Sequence, residues 1–121
     1  MNYLFVALGA ALGGVSRYWF GNFVHKFFPS FFPFGTLFIN IIGSFLLGII
    51  IFYFDERELL SQPVKLFLTI GFCGGFTTFS TFSFEAIKLF LDSEFLLASV
   101  YIIASVFLSI LGVYLAYILS R

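Results

Sequence analysis

Charge is what this sequence has least of. Six Lys or Arg and six Asp or Glu stand among 121 residues, a formal net charge of zero, against 61% hydrophobic residues and a mean hydropathy of +1.11. A chain of this length cannot hide so much apolar surface in a water-facing fold, so the composition excludes a soluble globular domain and reads as an integral membrane protein. Cysteine is nearly absent too: Cys73 stands alone, which excludes an internal disulfide and a second thiol for a metal site, and leaves it as a small apolar filler. The glycines at 71, 74 and 75 lack the lysine that a phosphate-binding loop needs, and no metal cluster or base-activated nucleophile accompanies them, so an enzyme is not expected.

What the chain does have is apolar runs. Set against the ~20 residues needed to cross a bilayer, they give four spans, at about 3–24, 34–54, 64–91 and 95–119, in one transmembrane domain covering 1–121. The first run is too long and too polar at its far end for a cleavable leader and is read as a retained span. His25, Lys26, Pro29 and Pro33 close it off, Asp55-Glu56-Arg57-Glu58 returns the chain to water, Pro63 suits a helix start, and Asp92-Ser93-Glu94 makes a short turn. Within the third span, Gly71-Phe72-Cys73-Gly74-Gly75-Phe76 followed by Thr77-Thr78-Phe79-Ser80-Thr81-Phe82 predicts a helix broken at the membrane midplane. Hydrocarbon offers a loosened backbone no hydrogen bonds, so such a break is tolerated only against protein or a water-filled cavity, and it commonly marks an ion or substrate site.

Four spans put both termini on one side. That side carries Arg57, Lys65 and Arg121, and the other carries Lys26, Lys88 and a snorkelling Arg17, three against three. A chain with no Lys/Arg bias has no preferred orientation, so insertion in both directions and antiparallel pairing are expected. Gly9 with Gly13 and Gly71 with Gly75 have the four-residue spacing that lets helices approach closely. Ala98, Tyr101, Ser105, Ser109, Gly112 and Ala116 give the fourth span a small, polar face.

Asn40, near the centre of the second span, is the costliest uncharged group to leave unpaired in the membrane; it serves either as an interhelical tie or as a pore ligand. Ser105 and Ser109 either bond back to their own helix or face a path. Donors on three spans with no carboxylate among them suit an anion rather than a cation. Phenylalanine contributes 21 residues, most of them for lipid or core, but Phe79 and Phe82 lie three apart on one helix face among hydroxyls. A ring edge carries partial positive charge and can meet a small anion without holding it too tightly. Glu85, the only carboxylate inside a span, reads either as an i,i+3 partner of Lys88 near the membrane surface or as a coupling or vestibule residue, and His25 as a solvated interfacial residue.

Gly13-Gly14-Val15-Ser16-Arg17-Tyr18, Gly35-Thr36-Leu37-Phe38-Ile39-Asn40-Ile41-Ile42-Gly43-Ser44-Phe45 and the third-span block from Gly71 to Phe82 together resemble the fluoride channel family known as Fluc or CrcB, over all four spans. The resemblance implies an all-α membrane protein forming a dual-topology antiparallel homodimer that passively exports fluoride through two pores, in the inner membrane of a bacterium. It implies that Asn40, Phe79, Phe82 and Ser109 meet fluoride, with Tyr101 and Ser105 also facing the pore, and that Ser80 and Thr81 form a polar track. It gives Arg17 a vestibule that draws anions, and gives the backbone carbonyls of Gly74 and Thr77 a structural Na+ at the dimer interface. The partners expected are fluoride, sodium, the lipid bilayer and a second copy of the chain, with no nucleic acid.

Two other readings compete with this one. A small multidrug transporter has similar length and span number but depends on a glutamate in the first span, where this chain carries Arg17 and no acid. A non-transporting membrane subunit would use the same polar residues only for packing, and would tolerate loss of Asn40.

Overall fold

The computed structural model describes residues 1–121. Four helices are long and apolar enough to cross a membrane. The first, α1, is Asn2–Phe27, and the second, α2, is Phe34–Asp55, whose last six residues, Ile50–Asp55, are wound as a π-helix. The third crossing, Gln62–Leu91, consists of α3 (residues 62–76, with Phe67–Cys73 as a π-helix) and α4, Phe79–Leu91; α5 is Phe95–Leu119. The α1 helix continues past Val24 because His25 and Lys26 occupy its last turn, where cations face the unsatisfied carbonyls of a helix end. Pro63 enters the first turn of α3, where its missing N–H costs nothing.

Packing inside the chain follows the glycines. α1 lies along α3, and α2 lies along α5. A Cβ at Gly71 would stand 2.9 Å from both the Gly9 Cα and the Val6 oxygen, and one at Gly75 would stand 2.6 Å from the Ala10 oxygen. The two four-residue glycine pairs are thus spent on each other, backbone against backbone. Gly71→Val should therefore destabilise the fold by about 2 kcal/mol or more, since the obstructing atoms are main chain and cannot rotate away; a lowered unfolding midpoint in detergent checks this, and an unchanged one would rule the contact out as structural.

Helical winding continues through these glycines and stops beyond them. Gly74 and Gly75 remain helical, and the extended residues are Thr77 (φ −83°, ψ 161°) and Thr78 (φ −152°, ψ 120°). Of the glycine pair expected to break the helix, Gly75 is a contact with α1 and Gly74 is exposed, and the interruption falls two residues after Gly75.

On α5 the small face turns toward α2: Ala98, Tyr101, Ser105, Gly112 and Ala116 are buried, and the Cβ of Ala116 would stand 2.7 Å from one placed on Gly48. A compact cluster of Phe32, Leu37, Phe82, Ala86, Leu89, Ala98 and Tyr101 joins α2, α4 and α5 near the loop that links α1 to α2. At the other end Arg57 donates to Phe52 O (3.2 Å), Tyr53 O (2.9 Å) and Ser120 O (2.6 Å), tying the C-terminal ends of α2 and α5. Lys65 pairs with Asp55 at 3.0 Å across the same loop. Only 23 of 121 residues are buried, so most of the apolar surface faces outward and requires lipid or another protein to cover it.

Candidate functional site

The interruption at Thr77 and Thr78 frees backbone groups that must be satisfied away from water. Asn40 on α2 meets this need with both ends of its amide: Oδ1 accepts from the Thr78 N–H (2.9 Å) and Nδ2 donates to the Thr78 carbonyl (3.1 Å). The side chain thereby pairs with Thr78 as a neighbouring strand would, and one of its two N–H donors remains uncommitted. Thr78 in turn caps α4, its Oγ1 accepting from the Thr81 N–H at 3.1 Å. Arg17 turns inward from α1 and its Nε donates to the Gly75 carbonyl at 3.1 Å, near the exposed end of α3.

These diversions leave two carbonyls without the donors they would have in a continuous helix. The Thr78 N–H, four residues after Gly74, goes to Asn40, and the Thr81 N–H, four after Thr77, goes to the Thr78 hydroxyl. Gly74 and Thr77 therefore present free carbonyl oxygens at the end of α3.

Two grooves meet at this point. The first, about 600 Å³, is lined by residues of α2, α3, α4 and α5, among them Asn40, Gly74, Thr77, Phe79, Phe82, Ser105 and Ser109, and it contains no charged side chain. The second, about 560 Å³, is polar and holds Arg17, His25, Thr81 and Glu85. Thr78 is the one residue common to both. The structure thus gathers seven of the site residues expected from sequence into one groove and puts Arg17 and Thr81 in the adjoining one.

Ser80 and Tyr101 line neither. Ser80 is exposed on the first turn of α4, its Oγ 3.4 Å from Thr78 Oγ1. Tyr101 is fully buried, edge-on to Phe32 and beside Phe82 (5.2 Å between ring centroids), and its hydroxyl donates to Glu85 Oε1 at 3.0 Å. Glu85 is not the partner of Lys88, as the i,i+3 spacing implied. It faces α5 and the second groove, whereas Lys88 is exposed near the end of α4.

The two phenylalanines share a helix face, with ring centroids 5.6 Å apart, but differ in burial. Phe82 is 8% exposed and part of the core cluster, while Phe79 is 78% exposed and projects from the chain. Among the hydroxyls, Ser105 Oγ is buried and has no hydrogen-bond partner at all, in a face that a packing serine would not need. Thr78, the residue on which Asn40 acts, is not among the site residues expected from sequence. Its signal was present in the pattern of a hydroxyl residue three positions before Thr81 at a helix start, the mark of an N-cap.

The fold and its grooves define a small multi-pass membrane protein whose polar groups converge on one interrupted crossing. Residues 4–117 match the family described as CrcB-like protein, Camphor Resistance (CrcB), and the chain belongs to that family. Among its relatives, the fluoride-specific ion channel FluC of Geobacter sulfurreducens is 45% identical over 118 residues, 98% of this chain and 95% of the relative. The protein of the same name from Granulibacter bethesdensis is 45% identical over 121 residues, covering 100% of this chain and 95% of its own. The fluoride-specific ion channel FluC 3 of Methanosarcina barkeri is 43% identical over 112 residues, 93% and 84% of the two chains.

Proposed function

We propose that this protein is a fluoride-selective channel that lets the anion leave the cell passively and so limits its toxicity. The observation that carries the reading is the chemistry of the first groove: hydrogen-bond donors from α2 and α5 and two aromatic rings from α4, with neither a carboxylate nor a cation among them. Fixed donors and ring edges stabilise an anion, and the lack of a fixed cation keeps it from being trapped. Arg17 in the adjoining groove supplies a fixed positive charge at an entrance, shared there with the Glu85 carboxylate. The names of the relatives support the same anion. A multidrug transporter is disfavoured because α1 carries Arg17 and no acid.

The working unit of this proposal is an antiparallel homodimer with two pores, in the inner membrane of a bacterium. Phe79, mostly exposed on a single chain, would then reach a groove completed by the second copy. Sodium fits the free carbonyls of Gly74 and Thr77, which are uncharged hard oxygen donors, and a second antiparallel copy would double them to a set of four. The ion's part there is to hold two interrupted crossings together; Asn40 and Thr78 keep the carbonyls free for it by taking the N–H groups of Thr78 and Thr81.

Growth provides the test. In a bacterium stripped of its own fluoride exporter, expression of this chain should restore growth at a fluoride concentration that arrests the empty-vector strain. Failure to rescue with the protein demonstrably in the membrane would contradict the proposal.

A further inference from the structure

Six hydroxyl side chains line the first groove: Ser44, Thr69, Thr77, Thr78, Ser105 and Ser109. An anion can use only those whose proton is free. Thr69 donates to Lys65 O at 2.7 Å and Thr77 to Cys73 O at 2.9 Å, each bonding back to its own helix four residues earlier. Thr78 Oγ1 accepts from the Thr81 N–H as the cap of α4, and its own proton has only Ser80 Oγ, 3.4 Å away, within reach. Ser44, Ser105 and Ser109 make no such bond, and Ser105 Oγ, in a residue 6% exposed, has no partner of any kind. Outside the groove Ser83 bonds back to Phe79 O and Ser120 to Ala116 O, while Ser16 on α1 makes no such bond. What sets Ser44, Ser105 and Ser109 apart is that their uncommitted hydroxyls line one groove.

Ser44 is the one of the three that comes from α2. It lies four residues after Asn40, on the same face and one turn further along. We propose that Ser44 is an anion-binding residue of the pathway, donating its hydroxyl to fluoride opposite Ser105 and Ser109 and forming a second station one turn beyond Asn40. This rests on the fluoride-channel reading and deepens it. A station at that level gives the ion a donor from α2 as well as from α5, so that it is not released into a purely apolar stretch beside Leu47 and Ile51, the next groove residues of α2.

The test compares side chains with and without the hydroxyl in the full-length protein, by fluoride efflux from liposomes of equal protein content. Losing a hydrogen bond to a charged ligand should slow Ser44→Ala by about tenfold or more, and Ser44→Val by at least as much. Ser44→Thr, nearly the same shape as Ser44→Val, should conduct within about threefold of the parent. Its half-saturating fluoride concentration should also stay close to the parent's, whereas that of Ser44→Ala should rise. Parent-like efflux by Ser44→Ala, or equal rates for Ser44→Thr and Ser44→Val, would overturn the assignment. Should the variants differ only in folded yield, the Thr and Val forms would match once normalised to folded protein, which counts as the same refutation. Ser83→Ala, which removes a back-bonded hydroxyl outside the groove, should leave efflux unchanged. A parent protein that passes no fluoride would instead refute the channel reading itself.

Discussion

Asn40→Asp is expected to abolish fluoride flux, by about a hundredfold or more per folded channel. Two effects act in the same direction. The carboxylate cannot donate to the Thr78 carbonyl, so a hydrogen bond of 3.1 Å becomes a contact between two acceptors. The same charge then sits in a groove whose other polar groups carry none, where it repels an approaching anion. Asn40→Ala separates the contributions. It introduces no charge but strands both the N–H and the C=O of Thr78, each costing about 1–3 kcal/mol when unsatisfied. It should lower the unfolding midpoint and also the flux that remains per folded protein. If flux fell only in proportion to the folded fraction, Asn40 would be a structural tie alone and the pathway would have to run elsewhere.

Phe79→Ile and Phe82→Ile should both reduce flux severely, again by about a hundredfold, because each keeps an apolar side chain but removes the aromatic edge. Their stabilities should part company. Phe82 packs against Tyr101 in the core, so its replacement should also cost about 1–2 kcal/mol. Phe79 is mostly exposed on the single chain, and Phe79→Ile should leave the unfolding midpoint within about 0.5 kcal/mol of the parent. Flux loss without a stability loss at Phe79 is the cleaner result, since no packing defect can account for it. Parent-like flux in Phe79→Ile would remove ring-edge recognition from the account.

The pattern of hydropathy made the four crossings legible, because a bilayer imposes one length on every span and punishes charge within it. Asn40, Phe79, Phe82, Ser105 and Ser109 could be drawn from spacing and residue type, and the structure brings all five to one groove. The four-residue spacing of Gly71 and Gly75 marked them for close packing, but spacing could not say that α1, some sixty residues away in sequence, is what lies against them, nor that the break falls after them at Thr77 and Thr78. Glu85 illustrates the same limit. Lys88 is its nearest opposite charge along the helix, but the group that reaches it is Tyr101, from a different helix. The unequal exposure of Phe79 and Phe82 likewise depends on where α5 lies, which a helix-face argument does not contain.

One function thus depends on one interruption: Asn40 holds Thr78 extended, and the free donors around it select an anion. Parallel efflux runs from liposomes loaded with fluoride or with chloride, with potassium and valinomycin present to dissipate the voltage, test this most directly. Rapid release of fluoride with release of chloride no faster than from protein-free liposomes is the expected result. Equal release of the two anions, or no fluoride release from folded protein, would contradict it.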